Sequence, residues 1–214
     1  MHLSDQPTKL LFIGDSITDA FRRPEEINES FQLGNGYVFL IAAHLRYHYP
    51  EAALDFVNRG VSGETLKNIV GRWEADVIPH QPQVVTLLAG VNDLIRMQQK
   101  LGNYSEPAEF AERLRSTLER TRAALPETKL VLMEPFVLEA GMVESGWREA
   151  LQPYQKIVRE QSEAFQTEFI PLQSVFDAAV ENAAPAHWSY DGVHPNPGGF
   201  YCIAKAWLTQ MNYN

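Results

Sequence analysis

Leu10-Leu11-Phe12-Ile13-Gly14-Asp15-Ser16-Ile17-Thr18-Asp19 runs from four apolar residues straight into a glycine, an acid and a hydroxyl. A short apolar run stopped by Gly reads as a buried strand that ends abruptly. In an open α/β sheet, the residues just past such an end lie in the crevice beyond the strands' carboxyl ends, where ligands bind. Ser16 therefore stands where chemistry is done, provided that the chain also supplies a base and donors for a developing negative charge. Taken alone, the same residues read as a helix N-cap, because Asp and Ser both cap well.

Outward from this turn, two kinds of segment alternate. Lys9–Ile13, Leu54–Asn58, Gln83–Ala89, Lys129–Glu134 and Glu168–Pro171 are short, mostly apolar runs that predict strands. Tyr37–Tyr49, Glu64–Asp76, Pro107–Leu125, Trp147–Phe165, Val175–Asn182 and Gly198 to about Met211 predict helices, with Val38, Ile41, Ala42 and Leu45 marking the buried stripe of the first. Arg22–Gln32 and Pro185–Pro197 read as irregular. Apolar strands alternating with helices imply a parallel sheet covered on both faces, that is, one three-layer α/β/α domain over residues 1–214. If the strand order is 2-1-3-4-5, the switch point lies between the first and third strands and sets Ser16 beside Asn92.

The chain's 214 residues can bury one substantial core. With 18 Lys and Arg against 27 Asp and Glu, its net charge of -9 argues against a nucleic-acid or anionic-membrane surface. Met1 to Thr8 lack the basic-then-apolar pattern of an export signal, and no run approaches the ~20 apolar residues that span a bilayer. Cys202, the only cysteine, cannot form an intramolecular disulfide and reads as a small buried residue of the closing helix. Neutral or weakly charged substrates remain open, and a cytoplasmic protein is expected.

The base is found at the far end, in Tyr190-Asp191-Gly192-Val193-His194-Pro195-Asn196. An Asp three residues before a His, on a turn stiffened by Gly and Pro, can accept from the imidazole Nδ1–H and leave Nε2 free as a general base. A serine hydroxyl needs such a base to become a nucleophile, so Ser16, His194 and Asp191 form a plausible triad. Donors for an oxyanion stand at three strand ends: the N–H of Ser16, the N–H of Gly60 and the side-chain amide of Asn92. Asn92 also reads as a residue that satisfies loop backbone, and Asp15 and Asp93 read as holding their turns. Phe136, Trp188 and Tyr190 could line a pocket or sit in the core. His44 and His48 lie one helical turn apart, but no carboxylate pattern completes a metal site, and no metal or other cofactor is expected. Gly14-Asp15-Ser16 lacks the glycine triplet of a dinucleotide site, and Thr18 stands where a nucleophile elbow of the α/β-hydrolase type needs Gly.

Gly14-Asp15-Ser16-Ile17, Gly60 within Asn58-Arg59-Gly60-Val61-Ser62-Gly63, Gly90-Val91-Asn92-Asp93 and Asp191-Gly192-Val193-His194-Pro195 resemble, in order, the four sequence blocks of the SGNH (GDSL-type) hydrolases. Ile17 departs from the Leu of the family name and keeps its size and polarity. Lys9–Asp19, Arg72–Ile78 and Pro135-Phe136 are further similar to the bacterial intracellular acetyl-xylan esterases of that family. The resemblance implies the flavodoxin-like order 2-1-3-4-5, with Ser16 as nucleophile, His194 as base, Asp191 as its partner, and Ser16, Gly60 and Asn92 as oxyanion donors. It implies a serine esterase acting through an acyl-enzyme on O-acetyl esters of small carbohydrates such as acetylated xylo-oligosaccharides, and a homo-oligomer. A general short-chain esterase or thioesterase of lysophospholipase type is the alternative within enzymes. A carbohydrate-binding domain that kept the pocket without the chemistry is the alternative outside them.

Overall fold

The computed structural model describes residues 8–213, so the opening residues read against an export signal lie, up to residue 7, outside it. Five runs form strands: β1 (Thr8–Gly14), β2 (Leu54–Gly60), β3 (Val84–Leu88), β4 (Lys129–Met133) and β5 (Glu168–Ile170). They make one sheet in the order β2-β1-β3-β4-β5, every neighbouring pair parallel. This is the order expected from the sequence. Leu10 to Ile13 and all of β3 are buried, as strands covered on both faces must be.

The helices are α1 (Ser16–Asp19), α2 (Glu29–Leu33), α3 (Tyr37–His48), α4 (Leu66–Gly71), α5 (Trp73–Asp76), α6 (Val91–Gln98), α7 (Pro107–Ala124), α8 (Trp147–Ala164), α9 (Leu172–Val180), α10 (Pro185–Trp188) and α11 (Pro197–Gln210). Phe12 meets Tyr37 of α3 and Trp207 of α11, with ring centroids 5.9 and 5.7 Å apart. Its cross-strand neighbour Thr86 accepts the Trp207 Nε1–H at 3.0 Å, which satisfies a buried indole. On the opposite face Leu87 lies among Leu66 of α4, Phe110 and Leu114 of α7 and Val158 of α8. The alternation along β1 and β3 thus sends side chains to two apolar layers. No described helix is long and apolar enough to cross a membrane.

Five segments depart from the expected reading. The helix read over Glu64–Asp76 is broken at Arg72 into α4 and α5, because Arg72 turns inward to Glu64, Asp76 and the carbonyl of Arg59. α2 begins inside the irregular Arg22–Gln32 stretch, with Asn28 capping the Ser30 N–H. α10 makes one turn inside Pro185–Pro197, and α9 starts at Leu172, before the expected Val175. α6 was not anticipated at all.

Candidate active site

The sharp stop after β1 needs Gly14. A Cβ there would lie 2.4 Å from Thr18 Oγ1 and 2.5 Å from the Leu88 carbonyl, so any other residue would push the turn off the sheet. Asp15, not Ser16, caps α1: its Oδ1 accepts the Ile17 N–H at 3.0 Å. That leaves the Ser16 side chain free to face the crevice. α1 lasts one turn and ends in two successive left-handed residues, Ala20 (φ 44) and Phe21 (φ 61). Such conformations are strained for side-chain-bearing residues and persist where surrounding structure holds them.

The loop before α11 fixes the imidazole from several sides. Asp191 Oδ1 accepts the N–H groups of Val193 at 3.0 Å and His194 at 2.7 Å. The Ser189 hydroxyl donates to the His194 carbonyl at 2.8 Å. Gly192 has φ 87, and a Cβ there would lie 2.3 Å from the Leu138 carbonyl, so this turn tolerates only glycine. Asp191 Oδ2 is then 2.7 Å from His194 Nδ1, and His194 Nε2 is 2.9 Å from Ser16 Oγ. Partial burial pushes the Asp191 carboxyl up, but the bonds from the His194 ring and from the His194 and Val193 N–H groups outweigh it and hold it below the usual carboxylate range. An ionised Asp191 keeps the proton on Nδ1, so Nε2 accepts from the Ser16 hydroxyl. Residues 178 positions apart form one hydrogen-bonded chain.

The donor side needs a correction. The Gly60 N–H donates to Asn58 Oδ1 at 2.8 Å in a buried position, and its carbonyl accepts from Arg22 Nε. A Cβ on Gly60 would lie 2.2 Å from the Asp19 nitrogen, so this glycine serves close packing of β2 against α1 and has no free N–H to offer. Gly63, three residues on, has φ 79 and nothing within 4 Å of a Cβ position. Neither its N–H nor that of Ser16 donates to a protein group among the described residues. The Gly63 loop is tied to α6 by the Asn92 amide, which donates to the Glu64 carbonyl at 3.1 Å, and by Arg96 on the Gly63 carbonyl. One amide hydrogen of Asn92 remains for a ligand. Two glycines three apart in one sequence block look alike on paper; the Asn58 side chain decides between them.

Asp93 does hold the loops, as expected: Oδ2 accepts the Leu66 N–H and Oδ1 the Ser105 N–H, both at 2.9 Å. Of the three aromatic candidates, only Tyr190 stands at the site, 63% exposed with its ring nearly parallel to that of His194 at 6.2 Å. Phe136 is fully buried and stacked on Phe176 at 4.2 Å, a core residue. Trp188 donates to the Ala183 carbonyl and lines a groove of about 520 Å³ with Ile170, Val175 and Ala206, apart from Ser16. Cys202 lines the same groove and is half-buried, not enclosed as expected. The His44 and His48 rings lie 4.3 Å apart, tilted by 38°, and the His44 ring is 2.9 Å from the Tyr213 carbonyl.

The model of the GDSL-like lipase/acylhydrolase family matches residues 12–200. An acetylxylan esterase of Geobacillus stearothermophilus is 35% identical over 211 residues, 96% of this chain and 94% of that one. The crystal structure of Axe2, an acetylxylan esterase from the same species, matches with a TM-score of 0.86 at 33% identity over 97% of this chain and 95% of its own. A GDSL-like protein of Parabacteroides merdae reaches 0.92 at 35% identity, over 98% and 97% of the two chains.

Proposed function

We propose that this chain, which belongs to the GDSL-like lipase/acylhydrolase family and is a carboxylic ester hydrolase, removes short acyl groups, O-acetyl above all, from small carbohydrates such as acetylated xylo-oligosaccharides. The observation that carries the chemistry is the unbroken chain from Ser16 Oγ through the His194 ring to Asp191, at 2.9 and 2.7 Å. His194 Nε2 takes the Ser16 proton as Oγ attacks the ester carbonyl, and Asp191 steadies the imidazolium that results. The carbonyl oxygen gathers negative charge, which the N–H groups of Ser16 and Gly63 and the free amide hydrogen of Asn92 receive. Collapse expels the alcohol with the proton from His194 and leaves acyl-Ser16. Water, deprotonated by the same imidazole, then releases the acid and restores the serine.

Support for a carbohydrate ester comes from the acetylxylan esterase relative and from Tyr190, whose open aromatic face beside the base suits the apolar face of a sugar ring. The test is acetate release from acetylated xylo-oligosaccharides, set against p-nitrophenyl esters of increasing chain length. Acetyl esters are expected to be the best substrates, and Ser16→Ala is expected to lose about 10⁴-fold or more in kcat. A preference for long acyl chains sinks the deacetylase reading. Ser16→Ala turning over at the wild-type rate sinks the nucleophile.

A further inference from the structure

Between β4 and α8 the chain makes an irregular strap, Pro135 to Val143, to which the reaction above gives no part. Its root is pinned by buried amides. Gln173 Oε1 accepts the Val137 N–H at 3.1 Å, and Gln173 Nε2 donates to the Val137 carbonyl at 3.1 Å. Gln155 Nε2 donates to the Pro135 carbonyl at 2.9 Å and to the same Gln173 oxygen at 3.2 Å. Both glutamines are buried, where an unmatched amide is costly, so these bonds fix the first residues of the strap firmly.

The far end of the strap lies against the turn that carries Asp191. The Leu138 N–H donates to the Gly192 carbonyl at 2.8 Å, and the Met142 N–H to the Asp191 carbonyl at 3.0 Å. Gly141 has φ 55, and a Cβ there would lie 2.4 Å from Asp191 Cα and 2.8 Å from the Tyr190 carbonyl. From the other side, the Cβ position of Gly192 is 2.6 Å from the Ala140 carbonyl. The two backbones therefore touch through a glycine on each, with no flexible side chain between them to give way. We propose that the strap Pro135–Val143 is a positioning element for the hydrolysis, and that Gly141 is the positioning residue through which it places Asp191 and, by way of Asp191, the His194 ring. The inference rests on the Ser16–His194–Asp191 reading above.

The bonds from Asp191 Oδ1 to the Val193 and His194 N–H groups, and from the Ser189 hydroxyl to the His194 carbonyl, all lie within one loop. They set the shape of that loop and not where it stands relative to Ser16, which follows β1. The strap supplies the missing reference. It leaves β4, a strand of the same sheet as β1, and carries the frame of the sheet to Asp191 over a few residues held at both ends. Two carbons in ordinary contact stand about 3.5 Å apart, so a methyl group at position 141 must push Asp191 Cα or the strap away by about 1 Å. The 2.7 Å bond from Asp191 to His194 and the 2.9 Å approach of His194 to Ser16 cannot absorb that shift unchanged. A misplacement of about 1 Å in a reacting constellation costs about 10²-fold in rate.

Gly141→Ala is expected to lower kcat for an acetyl ester about 10²-fold with KM little changed. It is also expected to weaken the strongly deshielded proton NMR signal of the His194 Nδ1–H bonded to Asp191. Gly146→Ala is the control, because Gly146 has φ 92 and nothing within 4 Å of its Cβ position: it takes a similar backbone strain without touching Asp191. Both variants are expected to lose Tm, and only Gly141→Ala to lose kcat and the proton signal. A wild-type kcat and an intact signal in folded Gly141→Ala overturn the proposal, since the glycine then serves stability alone. Should Gly141→Ala fail to fold, amide hydrogen exchange of the wild type decides. The Leu138 and Met142 amides are expected to exchange as slowly as those of Val193 and His194, as one cooperative unit. A Met142 amide that exchanges like an open loop while His194 stays protected overturns the proposal equally. Ser16→Ala run in parallel separates the two levels: if it stays active, the reading beneath falls, and the proton signal, which needs no turnover, still judges the strap.

Discussion

The β1–α1 turn and the loop before α11 each carry an aspartate close in sequence to a member of the triad, and they treat it in opposite ways. Asp191 receives three donors, two backbone N–H groups and the His194 ring, and stays charged well below neutrality. Asp15 receives one donor for two oxygens in a fully buried place and holds its proton up to about 7. The residue type is the same; depth of burial raises the one, and the count of donors lowers the other. A site that needs a permanent anion surrounds it with N–H groups, whereas Asp15 has one donor and holds the turn with it.

The largest way to break this contrast is to remove the donor-rich member. Asp191→Asn puts an amide nitrogen or a weaker acceptor opposite Nδ1, so the ring loses the tautomer that leaves Nε2 free. We expect kcat to fall about 10³- to 10⁴-fold with little change in KM, read by steady-state hydrolysis of an acetyl ester. A loss of about tenfold or less would mean that the ring keeps its tautomer without the carboxylate, and the contrast would collapse.

The next effect lies on the substrate side of Ser16. Asn92→Ala removes one oxyanion donor and is expected to cost about 10²- to 10³-fold in kcat. Its Tm should stay close to wild type, because the amide's one protein bond is to a single loop carbonyl, that of Glu64. A raised KM at constant kcat would instead assign Asn92 to ground-state binding.

How much of this was legible in the chain differs with the kind of contact involved. The five strands are short, mostly apolar runs bounded by turn residues, and that pattern places them. Ser16, Asp191 and His194 stand out because their chemistry depends on residue type, and the fold brings all three together. What escaped depends on long-range side-chain bonds. α6 starts in Gly90-Val91-Asn92-Asp93, which looks like a loop until Asp93 is seen binding Leu66 and Ser105. The break at Arg72 follows from its contacts with Glu64, Asp76 and Arg59. Phe136 left the pocket because Phe176, forty residues on, stacks over it. Gly60 lost its N–H to Asn58, a bond that spans only two residues and that an Asx-type turn in Asn58-Arg59-Gly60 could have suggested.

The smallest effect falls on the open face of the same imidazole. Asp15 is buried one residue before Ser16, whereas Tyr190 lies beside the His194 ring and is 63% exposed. A ring stacked on a sugar face contributes about 0.5–1.5 kcal/mol beyond its buried area, so Tyr190→Ala is expected to raise KM for an acetylated xylo-oligosaccharide roughly three- to tenfold. The small ester p-nitrophenyl acetate has no sugar to stack and should keep its KM. If both substrates lose equally in kcat and KM is unmoved, Tyr190 acts by holding the His194 ring, and the front of the imidazole is a support like the Asp191 side and not a binding face.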